Sequence, residues 1–301
     1  MTSHLVYQNN ATKKAVATAL VIIAASAADC LAAETEADHD KSGYTLFNPT
    51  PTDLMRDLNT DRPNKTESPY TVDAGHYQIE SDIFTFTHDH DTANGADSRV
   101  DSWSFATLDL RAGLCNRAEF QLILDPYSTV RTEDRHTKTV THQRGFGDTL
   151  LRLKVNVWGD DGGKTAFGLI PFIKVPSNQD GLGNDAVEGG LIFPFAAELP
   201  GGWGLGAMTE FDGNQDGEGG GYHTEFVNSV TFDHDIIGKL SGYLEFFSQV
   251  STESGSAWIG TFDLGLEYQI TRNIQIDGGV NLGLTKSADD WNPFAGISIR
   301  F

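Results

Sequence analysis

The chain has 301 residues, a formal net charge of -21 and 39% hydrophobic residues. That acidity excludes nucleic acid as a partner, because phosphate binding needs clustered Lys and Arg. Beyond the N-terminal region no stretch approaches about 18 consecutive apolar residues, which excludes helical membrane spans.

At the N-terminus, Lys13 and Lys14 precede the apolar run AVATALVIIAASAA and then DCLAAE. A basic start, a short apolar core and small residues before a polar boundary predict a signal peptide over residues 1–33. The run is shorter than the roughly 20 residues a helical span requires. Ala28, Ala32 and Ala33 are candidate cleavage positions, and Asp29 before Cys30 spoils a lipoprotein-type site. If cleavage falls beyond Cys30, only Cys115 remains and no internal disulfide is expected. Residues 34–75 are polar and carry Pro49, Pro51, Pro63 and Pro69. They are too poor in apolar residues for a separate domain and read as a periplasmic extension or a plug.

From residue 76 onward twelve alternating segments follow, approximately 76–88, 101–112, 118–128, 145–158, 164–176, 188–199, 203–212, 222–233, 239–251, 258–269, 272–285 and 291–301. In FDLGLEY, Phe262, Leu264, Leu266 and Tyr268 share one parity; Asp263, Gly265 and Glu267 share the other. TLLRLKVNV sets Leu151, Leu153, Val155 and Val157 against Arg152, Lys154 and Asn156. Side chains on a strand alternate between faces, so each segment has one greasy and one polar side. Short turns (GLCNR, GDDGGK, LPGG, DHDIIG and Thr271) alternate with longer polar loops at 89–100, 129–144, 177–187 and 213–221. Hydrocarbon offers backbone groups no partners, so spanning strands must close on themselves. The pattern predicts an all-β chain, a transmembrane antiparallel β-barrel of about twelve strands over 76–301 in a bacterial outer membrane. All five tryptophans lie near segment ends, as interfacial rings do. Trp203, Trp258 and Trp291 have the apolar parity, whereas Trp103 and Trp158 do not.

The polar faces would line a lumen. Arg111, Arg152, Lys154 and Lys174 come from the first half; Glu198, Glu210, Glu225, Glu245, Asp263, Glu267 and Asp277 come mainly from the second. Opposed walls of charge would set a transverse field and a mild cation preference. The alternative is that these charges pair and close a narrow barrel. DGNQDG places Asp212, Asn214 and Asp216 as the start of a calcium loop would, but its twelfth position is His223 and not a glutamate. HDHD at 88–91 reads as an acidic external loop. His88, His142 and His223 would sit near the outer rim with Ser102, yet no nucleophile motif joins them. No cofactor is implied.

The stretch LNTDRPNKTESPYTVDAGHYQIESD at 58–82 resembles a bacterial outer-membrane family labelled with the MetA pathway of phenol degradation. Thr60-Asp61-Arg62-Pro63, Gly75-His76, Arg111-Ala112-Gly113-Leu114 with Glu119, PFIKVPSN through GLGND at 171–185, and GGWGLGAMTEFD at 201–212 carry the likeness. The resemblance implies a β-barrel that moves small solutes across the outer membrane by passive diffusion, with outer-membrane lipid as its surroundings. Hydrolase-like and purely structural barrels stay open as alternatives, as does the oligomeric state. The terminal Phe301 is similar to the signal that barrel-assembly machinery reads on outer-membrane proteins.

Overall fold

The computed structural model describes residues 40–92, 97–217 and 220–301. The expected signal peptide and its cleavage positions lie outside them. The strands are β1 (Tyr77–Asp91), β2 (Ser98–Cys115), β3 (Ala118–Leu124), β4 (Tyr127–Asp134), β5 (Thr139–Gly145), β6 (Thr149–Trp158), β7 (Thr165–Val175), β8 (Glu188–Leu199), β9 (Trp203–Gln215), β10 (Tyr222–Ile237), β11 (Leu240–Ser251), β12 (Ile259–Thr271), β13 (Ile274–Gly283) and β14 (Trp291–Arg300). All pair antiparallel, and β1 pairs with both β2 and β14, closing the sheet. Both β3 and β4 pair with β2; β6 pairs with β3, and β5 with β4. Each of these is one barrel strand interrupted once, at Asp125–Pro126 and at Phe146–Asp148. The fourteen segments therefore fill twelve barrel positions. Pro126 has no N–H to give a ladder, which suits it to the break.

Register assigns the faces. Phe262, Leu264 and Leu266 of β12 point outward, Leu266 at 51% exposure, while Asp263 between them is fully buried in the interior. β14 closes on β1 through Phe301, whose N–H donates to the Tyr77 carbonyl at 2.8 Å. Hydrogen bonding across this seam joins the last strand to the first and closes the barrel wall.

Alternation is not uniform, and its failures line up. On β1 and β2 the ladder skips Ile83 and Ala106, and Ala106 has a φ of 55°. Asp82 and Thr107, on one side of that point, face inward, where Asp82 meets Arg62. Phe84 and Phe105, on the other, face outward with Trp103. The breaks at Asp125–Pro126 and Phe146–Asp148 stand at the same height on the next two strands. A single seam across four strands exchanges the inner and outer faces. It accounts for Trp103, which has polar parity in the sequence yet lies in the outer aromatic rung, 4.5 Å from Phe86 by ring centroids. A register shift between Asn156 and Trp158 does the same for Trp158, whose ring stacks on Phe167 at 5.0 Å.

Three expectations are corrected. Residues 129–144 are not a loop: β4 and β5 form a hairpin that turns at 135–138, and HDHD belongs to β1. Both stretches carry charge outward above the apolar band, so no hydrophobic alternation marks them. Cys115 is disulfide-bonded, against the expectation of a lone thiol, which had assumed cleavage beyond Cys30. The chain's other cysteine, Cys30, lies outside the described residues.

Candidate functional site

The barrel interior is crossed by the chain that precedes β1. At the end bearing the short turns, Lys41 donates to Asp161 at 2.9 Å and Arg56 Nε to Asp73 at 3.0 Å. Asp160 accepts from the Thr71 N–H at 3.1 Å and pairs with Arg56. In this turn, burial pushes the Asp160 carboxyl above its ordinary range despite Arg56. Burial acts in the same sense on Asp161, but hydrogen bonds from Lys41 and Asn116 outweigh it and hold that carboxyl low.

Residues 60–67, TDRPNKTE, then span the lumen with charged side chains of both signs. Asp61 pairs with Lys154 on β6 and with Arg111 on β2 at 3.3 Å. Arg62 pairs with Asp277 on β13 at 2.7 Å and with Asp82 on β1. Lys65 reaches Asp263 on β12 at 3.2 Å, and the N–H groups of Lys65 and Thr66 donate to Glu245 on β11 at 3.0 and 2.8 Å. Glu67 pairs with Arg152 on β6 at 2.5 Å. Glu80 accepts from the N–H groups of both Asp61 and Arg62 at 3.0 Å. Gly296 makes room for this arrangement: a methyl at its Cα would collide with the Arg62 guanidinium.

Of the residues singled out in the sequence, Arg111, Arg152, Lys154, Glu245, Asp263 and Asp277 meet on this segment. Lys174 pairs instead with Glu188, and Glu225 accepts from Gln249 at 2.7 Å. Glu210 stands on the rung of Ile192 and Val227, and Glu267 on the rung of Asp277. Glu198 lines a cavity of about 830 Å³ at the short-turn end, together with Arg56, Tyr70 and Arg117. A smaller cleft of about 240 Å³ runs beside residues 58–70 past Asp233 and Glu267.

Several interior residues escaped the sequence reading. Glu80, Asp109 and Glu119 share the wall of Arg111, so that wall is not simply basic; Glu119 accepts from Arg111 at 2.9 Å. Ile170, Ile192, Met208 and Val227 form an apolar patch inside the barrel, joined by Phe172 and Phe247. The Lys65 ammonium lies 4.6 Å from the Phe247 ring centre, where a cation is attracted by the π face. The close-set charges of both signs in TDRPNKTE were the available clue to the segment; the apolar patch had none, since its residues sit at polar parity.

The outer loops gather a different set. Asp212 and Asn214 lie in β9, paired with Glu225 and His223, and so do not form a calcium loop with Asp216. Asp216 joins His223, at 3.1 Å, and Glu253, their ligand atoms all within 4.8 Å of one another. His88 bonds Asp101 at 2.7 Å and His90 bonds Asp97 at 2.9 Å. Ser102 faces inward on the rung of Thr87, whereas His88 and His142 face outward. Among the described residues no serine hydroxyl hydrogen-bonds a histidine ring.

The family described as the MetA-pathway of phenol degradation has a sequence model that matches residues 60–301, from the segment inside the lumen to the last strand. The chain belongs to that family. The COG4313 outer membrane channel from Pseudomonas putida F1 has a similar structure, with a TM-score of 0.59, 12% identity, and coverage of 81% of this chain and all of that one. At that identity the likeness speaks for the fold, an outer-membrane β-barrel. KdgM porin (TM-score 0.43, 8% identity, 74% of this chain and 99% of that) and the CymD monoaromatic hydrocarbon channel (0.41, 10%, 75% and 87%) are more distant. No curated protein sequence matches the chain.

Proposed function

We propose that this family member is an outer-membrane channel that passes small solutes by passive diffusion, aromatic compounds among them, with residues 58–71 narrowing the lumen. The observation that carries this reading is the segment itself: its charges pair with opposite walls while the apolar patch of Phe172, Phe247 and Ile170 lies beside it. A polar interior filled by side chains alone suits barrels of about eight strands; twelve strands leave room for a further segment and a path beside it. Phenyl rings next to cationic and carboxylate groups give a solute with an apolar ring and a hydroxyl partners of both kinds. The family label, which names phenol, supports passage of solutes of this kind, and the likeness to an outer membrane channel supports the barrel that would pass them. Ser102 faces inward while His88 and His142 face outward, and His223 is held by Asp216 and Glu225, so none of them gives footing for a hydrolase.

Current through the full chain in a planar lipid bilayer under a salt gradient tests the reading. Small discrete steps with a cation-favouring reversal potential, reduced by millimolar phenol, are expected. A correctly inserted protein that stays silent, and whose vesicles take up phenol no faster than empty ones, would overturn it.

A further inference from the structure

The seam across the first four barrel strands has a consequence on the outside of the barrel. Beyond it, odd positions on β2 and β4 and even positions on β5 face outward. The rung Phe86–Trp103–Thr129–Arg144 begins this region, followed by His88–Asp101–Arg131–His142 and then His90–Arg99–Glu133. Phe86 and Trp103 belong to the aromatic rung with Trp291, which marks the edge of the apolar band. At about 3.3 Å per residue along a tilted strand, the next two rungs stand roughly 5–10 Å above that edge. This is headgroup depth, on the side away from the short turns.

A cavity of about 460 Å³ opens there, with Phe86 and Trp103 below and Arg99, Arg131 and His142 above. Asp101 and Glu133 hold the two arginines in place, at 3.0 Å from Arg99 Nε and 2.7 Å from Arg131 Nη2. Arg144 forms no ion pair among the described residues. On a chain of net charge -21, this is a concentration of guanidinium groups on a lipid-facing wall, and the seam is what turns them outward. Guanidinium is suited to phosphate because its planar fork can donate two parallel hydrogen bonds.

We infer that this cavity binds the phosphate-bearing headgroup of a glycolipid in the outer leaflet, its acyl chains lying on Phe86 and Trp103. Two features favour a lipid over a free anion. Asp101 and Glu133 offset much of the positive charge, leaving little to hold a small hydrated anion. The aromatic floor is continuous with the lipid-facing band and adds apolar contact that only an acylated ligand can use.

The test is native mass spectrometry of the full chain in detergent, titrated with bisphosphorylated lipid A, with its dephosphorylated form, and with inorganic phosphate in large excess. Retention of the phosphorylated lipid about tenfold above the dephosphorylated one is expected, with no displacement by inorganic phosphate. The Arg99→Gln, Arg131→Gln double variant is expected to lose that preference, and Lys239→Gln, at the opposite end of the barrel, to keep it. Arg131→Lys keeps a cation should the double variant fail to fold, and is expected to show an intermediate preference because the fork is gone. Equal retention of both lipids, or displacement by inorganic phosphate, would overturn the assignment.

Discussion

Asp61 and Arg62 are adjacent in the chain and hold opposite walls of the barrel. Asp61 pairs with Lys154 on β6, and Arg62 pairs with Asp277 on β13 at 2.7 Å. Their N–H groups share one acceptor, Glu80, so the backbone is pinned while the side chains diverge. A dipeptide thus bridges the lumen between walls that bear compensating charge.

Replacing Asp61 by Asn removes the carboxylate from a fully buried Lys154, whose other carboxylate, Glu119, is 3.8 Å away. Breaking a buried pair by removing one partner leaves an uncompensated charge, so a loss of about 3–5 kcal/mol is expected. Heat-induced unfolding of the detergent-solubilised barrel measures it. The same variant is expected to raise single-channel current as the segment loosens. Unchanged melting and unchanged current would show that the pair does not hold the segment.

Much of this architecture can be read from residues alone. In β12 charged or polar residues alternate with Leu, Ile and Phe without a break, because one side meets hydrocarbon and the other meets paired charge; β14 keeps the pattern except at Phe294, which turns inward beneath Arg62. Legibility ends at the seam. Ala106 and Pro126 reverse the faces by backbone geometry, and a period-two reading carried past them assigns Trp103 to the wrong side. The lumenal segment is legible only in part, since the four charges of Asp61, Arg62, Lys65 and Glu67 within seven residues say that partners exist but not which walls supply them.

Acid should release the end of the N-terminal segment nearest the short turns. The Asp161 carboxyl, held low by Lys41 and Asn116, contributes attachment that is complete above the ordinary aspartate value of 3.8 and is lost as pH falls through its depressed value. Asp160, raised by burial, works in the opposite sense and gains nothing from staying ionised. Limited proteolysis of residues 40–57 across pH 7 to about 3, with an acid-active protease, is expected to show protection until below 3.8 and cleavage thereafter. Asp161→Asn is expected to be cleaved at every pH; a variant as protected as the parent at pH 7 would show that Lys41 does not anchor the segment.

Face assignment on β12 is testable with neighbouring residues. Leu264 faces lipid, so an arginine there should cost about 2–4 kcal/mol near mid-bilayer and lower the yield of folded barrel. Asp263, buried inside beside Lys65, should accept Asn with the barrel still assembling, the loss appearing in the Lys65 contact rather than in insertion. Equal assembly of Leu264→Arg and Asp263→Asn would refute the register.

The seam makes its own prediction at Ala106. A φ of 55° places a Cβ in the left-handed region, which costs a residue other than glycine roughly 1 kcal/mol. Ala106→Gly should therefore raise barrel stability by about that amount, minus any loss from the greater freedom of glycine in the unfolded chain. Ala106→Val should lower it by more, since a β-branched side chain tolerates this conformation least. If instead the strand ran straight through, glycine would destabilise and valine would be accepted, as at an ordinary strand position. The signs of the two changes in melting temperature thus distinguish a reversed face from a regular strand, and with them whether Arg99 and Arg131 point toward lipid or toward the lumen.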